Sequence, residues 1–153
     1  MHTTTTTTSI AHVQPADLDA LASLFDAYRR FYGQAPDIAA ARDFLRNRLR
    51  FGESRALLAR RNGDAVGFAQ LYPMFSSVRM ERIWILNDLF VLPATRRQGI
   101  ARALLDAAAR FAREDGAAAI QLETGLDNAA ARATYRAAGW REDATQWYSL
   151  ALR

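Results

Sequence analysis

The chain of 153 residues contains no cysteine and no lysine. The absence of cysteine excludes disulfide bonds, thiolate metal sites and a cysteine nucleophile. The absence of lysine excludes Schiff-base chemistry and a lysine general base, because an arginine side chain stays protonated. Only two histidines are present, His2 and His12. Both lie far from other candidate ligands in the sequence, and we expect no metal site.

Long apolar runs are also missing. None approaches the roughly 18 residues that a membrane-spanning helix needs, and the threonine-rich start of the chain lacks the pattern of a signal peptide. We therefore expect a cytoplasmic protein with no membrane partner. The length suits one domain with a substantial core. The predicted organisation is a disordered tail over residues 1–8 and a single domain over residues 9–153.

The net charge of +4 comes from arginines that are spread along the chain and interleaved with Asp and Glu. Nucleic-acid binding favours a clustered basic stripe with aromatic partners. The spread pattern instead indicates a mixed, solvated surface. We expect no nucleic-acid partner, and a DNA-binding module that uses the arginines is the least favoured class of function.

Hydrophobic periodicity predicts both helices and strands. Apolar residues at helical spacing, with Gly at the end, predict four helices over 15–33, 36–52, 97–116 and 127–139. Pro or Asx marks the start of the first, second and fourth of them. Apolar residues at a period of two predict strands in the segments 9–13, 55–73 (two strands around Asn62-Gly63-Asp64), 79–93, 117–125 and 140–152. The predicted class is α/β, with a mixed central sheet of six to seven strands flanked by about four helices.

The segment RRQGIAR, Arg96–Arg102, joins the longest predicted strand to the strongest predicted helix. The first N–H groups of a helix have no intrahelical partner and the helix dipole favours an anion there, so this layout suits a phosphate. Gly99 lets the backbone approach a ligand closely. One glycine and no lysine exclude a Walker A loop and a GxGxxG motif. These residues alone leave two interpretations open, an anion cradle and an ordinary helix start.

Two motifs taken together resemble the GNAT superfamily of acyl-CoA-dependent N-acetyltransferases. The acyl-CoA loop of that family, [QR]-x-x-G-x-[GA], matches Arg96, Gly99 and Ala101. The motif of its later helix, N-x-x-A-x-x-x-Y-x-x-x-G-[FW], matches Asn128, Ala131, Tyr135, Gly139 and Trp140. The stretch ILNDLFV, with the preceding FSS, is most similar to the small-amine branch, which includes diamine acetyltransferases.

This resemblance implies acetyl-CoA as co-substrate. It implies that the backbone of Leu89, Phe90 and Val91 pairs with the pantetheine arm as an added strand, and that Asn128 and Ala131 lie beside the pantetheine and the thioester. It further implies that the loop binds the pyrophosphate through the residues Arg96, Arg97, Gln98, Gly99, Ile100, Ala101 and Arg102.

The resemblance also implies direct transfer of the acetyl group to a primary amine of a small molecule. In the family motif, the Tyr135 hydroxyl points at the cofactor sulfur, and a phenol is still protonated at neutral pH and able to protonate the departing thiolate. The alternative for Tyr135 is a ring packed in the core.

The amine has to be deprotonated before it attacks, because only about one alkylamine in 2,500 is neutral at pH 7. The diamine-like branch is expected to have a glutamate where this chain has Asn87, which cannot accept a proton. Asp88 is the candidate base, although strand alternation sends it to the opposite face from Asn87. Water-mediated deprotonation and a structural role for Asp88 are the alternatives.

The candidate acceptor site is aromatic. Rings beside an acidic group suit an ammonium ion, and the candidate substrate-binding residues are Tyr28, Phe31, Tyr32, Phe75 and Asn87. The same rings are equally compatible with a core. The positive net charge disfavours a polycationic substrate, so a polyamine, an amino acid and an amino-sugar stay open.

Two other functions on the same fold stay open, a non-catalytic acyl-CoA sensor and an acetyltransferase of protein or peptide amines. We expect the closing segment DATQWYSLALR to form a strand, and a strand at this end of the chain can pair with a second copy across a two-fold axis. A homodimer is therefore possible.

Overall fold

The computed structural model describes residues 6–153. The described residues form two compact units, one that ends at Glu123 and one that comprises Thr124–Arg153. The predicted disordered tail over residues 1–8 lies mostly outside the described residues, but Thr8 already belongs to the first strand.

The first unit contains three helices and a five-stranded sheet. A short 3-10 turn, Pro15–Asp17, leads into the first helix, and the helices are α1 (Leu18–Phe31), α2 (Ile38–Arg50) and α3 (Ile100–Glu114). The strands are β1 (Thr8–His12), β2 (Arg55–Arg61), β3 (Asp64–Ser76), β4 (Glu81–Val91) and β5 (Ala119–Gln121).

The sheet is mixed and its strands follow chain order. The pairs from β1 to β4 are antiparallel, whereas β5 lies parallel to β4. The β2–β3 connection is the predicted tight hairpin, and both Asn62 and Gly63 have positive φ, as its turn geometry requires. The parallel pair requires a crossover, and α3 supplies it.

The core lies on both faces of the sheet. Leu21 of α1 and Leu45 of α2 pack in one cluster with Leu58 of β2 and Phe68 of β3, which lie directly opposite each other in the sheet. The neighbouring Leu57 instead lines a small groove on the α3 side, together with Ala107 and Phe111. None of the helices in residues 6–153 combines the length and the apolarity that crossing a membrane requires.

The second unit contains the fourth helix, α4 (Ala129–Ala137). The predicted α/β class, the four helices and the mixed sheet are confirmed within the described residues, but the predicted strand count of six to seven is wrong, because the sheet has five strands. No strand forms over 140–153. The large side chains of that segment, Trp147, Tyr148, Leu150 and Leu152, are at least 70% exposed. An alternating pattern becomes a strand only where a sheet edge accepts it, so periodicity overestimated the sheet.

Candidate active site

The centre of the candidate site is a change of register between β3 and β4. Gln70 pairs with Asp88, whereas Leu71 pairs with Leu86, so Asn87 is an extra residue on β4. A bulge of this kind bends the strand and redirects side chains. Asn87 is exposed and Asp88 is buried, as alternation predicts, yet the Asn87 amide donates a hydrogen bond to Asp88 Oδ1 at 3.0 Å.

Asp88 is a buried carboxylate with several donors around it. The residue as a whole is only 4% exposed. Gln70 Nε2 donates to Asp88 Oδ2 at 2.7 Å, and the Tyr28 hydroxyl also forms a hydrogen bond with Asp88. The same Gln70 nitrogen lies 3.2 Å from the Tyr72 hydroxyl. The polar cluster therefore consists of Tyr28, Gln70, Tyr72 and Asp88, with Asn87 at its exposed side.

Burial raises the pKa of Asp88 above its usual range, and the hydrogen bonds from Gln70, Asn87 and Tyr28 oppose that shift. Burial likewise raises the pKa of Tyr72 to about 12, with the negative charge of Asp88 as a second cause. The carboxyl of Asp88 therefore binds a proton more readily than an exposed aspartate does. Perturbed groups of this kind cluster at functional sites.

Three of the predicted substrate-binding rings lie together near this cluster. Tyr28 contacts Tyr32 with ring centroids 5.0 Å apart, and Tyr32 contacts Phe31 at 5.3 Å. Tyr28 also meets Phe90 of β4 at 6.0 Å. Phe31 and Tyr32 are more than 60% exposed. The end of α1 thus presents rings to solvent near the buried carboxylate. The half-buried Tyr28 contacts both the Tyr32 ring and Asp88.

Phe75 is not brought to this cluster. It lies five residues beyond Gln70 on β3, which corresponds to about 17 Å along a strand. Its ring contacts the Arg82 guanidinium at 4.8 Å and is largely exposed. The structure therefore separates Phe75 from Tyr28, Phe31 and Tyr32.

The loop before α3 has the backbone geometry of an open helix start. Arg97 has φ +60° and Gly99 has φ +79°. Ala103 N donates to Gly99 O at 3.0 Å, so the amides of Ile100, Ala101 and Arg102 precede the first helical bond. An added Cβ at Gly99 would meet no atom within 4 Å. The backbone before the first helical bond therefore lies at the positive end of α3, with space beside Gly99.

Two arginine side chains of this loop, those of Arg96 and Arg102, have partners of their own. Arg96 Nε donates to Val91 O at 3.0 Å, and its guanidinium lies 5.5 Å from the Phe31 ring centroid and 5.8 Å from that of Phe90. Arg102 Nε donates to both carboxylate oxygens of Asp106 at 3.0 Å. Arg96 therefore links the loop to α1 and β4.

The end of β4 has one edge without a strand. β5 pairs only with Ile83, Trp84 and Ile85, and β3 occupies the other side of β4. Within residues 6–153, no strand lies beside Leu89, Phe90 or Val91 on the β5 side. Such an edge can accept an extended ligand through backbone hydrogen bonds.

The second unit contains the remaining predicted residues. The Asn128 side chain caps α4 by accepting a hydrogen bond from Ala131 N at 3.2 Å. Tyr135 lies on α4 with its ring centroid 6.3 Å from that of Trp140. This local geometry accounts for the asparagine by helix capping, and the roles of Asn128, Ala131 and Tyr135 toward a cofactor stay predictions.

Comparison with known proteins identifies the family. The family model described as "Acetyltransferase (GNAT) family" matches residues 20–140. The chain is 47% identical to the uncharacterized N-acetyltransferase YhfO of Bacillus subtilis (strain 168), over 88% of this chain and 91% of that protein. The protein belongs to the GNAT acetyltransferase family.

Solved structures agree with this assignment. The crystal structure of a probable acetyltransferase is 40% identical, with a TM-score of 0.90 over 95% of this chain and 98% of that one. The aminoglycoside N-acetyltransferase AAC(6')-Iy, in complex with CoA, shares the fold at 19% identity, with a TM-score of 0.84 and full coverage of both chains. The protein is thus a GNAT N-acetyltransferase, and its family uses acetyl-CoA.

The sequence prediction for this GNAT protein missed Gln70. This residue is fully buried and pairs with Asp88 across the two strands. Its signal is a single amide inside the apolar run AVGFAQLYP, since a buried polar side chain needs a partner.

In residues 6–153, no three His, Cys, Asp or Glu side chains gather closely enough to hold a metal ion.

The substitution Asp88→Asn should stabilise this GNAT protein at neutral pH. Because the pKa of Asp88 is raised in the folded state, ionisation costs stability as the pH rises from about 4, the value in an unfolded chain, through the folded pKa. Thermal unfolding should give a higher midpoint for Asp88→Asn at pH 7, and the difference should vanish below about pH 4.

The matched control is Asp43→Asn, which removes an exposed carboxylate that pairs with Arg46. It should change the midpoint little at either pH, because exposed ion pairs contribute little. A lower midpoint for Asp88→Asn at pH 7 would show that the ionised carboxylate stabilises the fold.

Proposed function

We propose that the protein transfers an acetyl group from acetyl-CoA directly to a primary amine of a small molecule, with Asp88 as the proton acceptor. The amine nitrogen forms a bond with the acetyl carbon and the carbon–sulfur bond breaks. The proton of the amine passes to Asp88, and Tyr135 protonates the CoA thiolate. The observation that carries this proposal is the buried carboxylate of Asp88 beside the open edge of β4.

The position of Asp88 supports its role as a base. A carboxylate with a raised pKa takes a proton more readily than an exposed one, and the best catalytic base has a pKa near the working pH. Asn87 stands where the diamine-like branch is expected to have a glutamate, and it donates a hydrogen bond to Asp88 instead of competing for the proton. The exposed rings of Phe31 and Tyr32 at the end of α1 offer cation–π contacts to the incoming ammonium group.

The cofactor side of the proposal rests on the loop and on the strand end. The amides of Ile100, Ala101 and Arg102 hold the pyrophosphate, with Gly99 leaving room for it. The backbone of Leu89–Val91 pairs with the pantetheine arm. Arg96 lies over Phe31 and Phe90, so in this proposal it connects the cofactor loop to the acceptor rings.

A thiol-release assay tests the proposed activity. The protein is incubated with acetyl-CoA and, in turn, with polyamines, amino acids, aminoglycosides and lysine-containing peptides, and free thiol is measured. Release above background with a small primary amine is expected. Release only with peptides would contradict the small-molecule acceptor, and acetyl-CoA binding without release across the panel would favour an acyl-CoA sensor.

The substitution Gly99→Ala tests the cradle. The added Cβ enters the space beside the helix start and should weaken CoA binding about tenfold or more, measured by calorimetry. The left-handed backbone makes the change mildly destabilising, by about 1–2 kcal/mol.

Gly116→Ala is the matched control, because Gly116 has φ +75° at the other end of α3 and its Cβ would also meet nothing within 4 Å. It carries the same backbone strain and should leave CoA affinity unchanged. Equal affinity in both variants would place the pyrophosphate elsewhere.

The substitution Tyr135→Phe tests the acid. It retains the ring and its contact with Trp140 but removes the hydroxyl, so kcat should fall about 100-fold or more, within the range for general acid catalysis, while the Kd for acetyl-CoA changes little. Wild-type turnover in Tyr135→Phe would show that another group, or water, protonates the thiolate. Trp140→Phe, which alters the same ring contact, controls for packing effects.

A further inference from the structure

Gln70 combines complete burial with a carboxylate partner. Its residue is 0% exposed, and its Nε2 lies 2.7 Å from Asp88 Oδ2 and 3.2 Å from the Tyr72 hydroxyl. An amide nitrogen has two hydrogens, so both are used. The other end of the amide differs, because Gln70 Oε1 is buried with no hydrogen-bond partner. A buried acceptor without a partner is costly in a purely structural site.

The two ends of the amide match the two states of the carboxyl. An ionised Asp88 accepts only, and the NH₂ end of Gln70 satisfies it. A protonated Asp88 has an O–H to donate, and an amide oxygen in the same place would accept it. Rotation of about 180° about the last side-chain bond exchanges the two ends, and that bond has broad, two-fold preferences.

Tyr72 is compatible with both orientations. Its pKa of about 12 keeps the phenol protonated at neutral pH, and a phenol both accepts and donates a hydrogen bond. It accepts from the NH₂ end in the observed orientation and can donate to the oxygen end after rotation. Whichever end of the amide faces Asp88 therefore has Tyr72 as a second partner.

We propose that Gln70 is a positioning residue that holds Asp88 in both of its protonation states by turning its amide over between them. The inference rests on the proposed role of Asp88 as the proton acceptor. Gln70 stabilises the carboxylate before each transfer and the carboxylic acid after it. It touches neither the acetyl group nor the amine in this proposal and acts only through Asp88.

The groups that face the cluster come from four elements. Tyr28 of α1 hydrogen-bonds to Asp88, Asn87 donates from β4, and Tyr72 lies on β3 beside Gln70. Arg48 of α2 acts on Tyr72, where its positive charge opposes the effect of burial. We therefore expect a pH profile of activity to follow the titration of Asp88 as these neighbouring groups modify it.

The test is the pH profile of kcat/KM for the best amine of the panel. Gln70→Met keeps the length of the side chain but removes both ends of the amide. The hydrogen bond to the ionised carboxylate is stronger than the one to the neutral acid, so its loss weighs more and the pKa of Asp88 should rise. The acidic limb should move up by about one to two pH units, the range expected for losing a hydrogen bond to a charged group. The Kd for acetyl-CoA should stay unchanged.

Gln70→Glu is the second variant. It has the same shape as glutamine, so the packing is kept if the methionine variant fails to fold. A second carboxyl beside Asp88 should shift the acidic limb of the pH profile to still higher pH, because two adjacent carboxyls resist ionising together. A structural role for Gln70 would lower the thermal midpoint and the rate at every pH without moving the limb.

The two proposals fail in different ways. Full activity and an unchanged limb in Asp88→Asn would remove Asp88 as the base, and with it the proposed mechanism. An inactive Asp88→Asn, combined with an unmoved limb in a folded Gln70→Met or Gln70→Glu, would overturn the inference about Gln70 alone. Limbs that move upward in both Gln70 variants would support it.

Discussion

The extra residue on β4 is the constraint on which the candidate site depends. Opposite Gln70 and Leu71, β4 contains three residues, Leu86, Asn87 and Asp88. This single insertion lets the Asn87 amide reach the neighbouring carboxylate, although the two side chains lie on opposite sides of the strand. β5 ends its pairing at Ile85, so within residues 6–153 the part of β4 beyond the insertion has a paired strand on one side only. One backbone irregularity thus coincides with both the buried acid and the open edge.

Burial of the Asp88 carboxylate lowers stability but raises the pKa in the direction that the proposed base requires. Asp88 lies in an otherwise apolar layer, where a charge is expensive unless hydrogen bonds compensate it. Its three donors offset burial only in part, since the pKa remains raised. A fully satisfied aspartate would be a poorer base at neutral pH, because its pKa would fall. Incomplete compensation is therefore what a proton acceptor needs and what a purely structural carboxylate avoids.

The sequence predicted the class and the helices because their signals are local, whereas the role of residues 96–102 toward a cofactor stays a prediction. Apolar periodicity, Asn62-Gly63 and the glycines that end helices act over a few residues. The strand count failed because it depends on whether an edge exists for residues 140–152, which no local pattern encodes. The roles of Asn128, Ala131 and Tyr135 come from the family motif and stay predictions.

The pairing of Gln70 with Asp88 could not be predicted from periodicity for the same reason. The two residues are 18 positions apart, and the register shift decides which residue of β4 faces Gln70. A regular ladder extrapolated from Leu71 and Leu86 would place Asn87 opposite Gln70, an amide against an amide. The insertion replaces that neutral pair with an amide and a carboxylate. A shift of one residue in the β3–β4 register thus decides the chemistry of the site. An analysis of strand alternation alone would assign the wrong partner to Gln70.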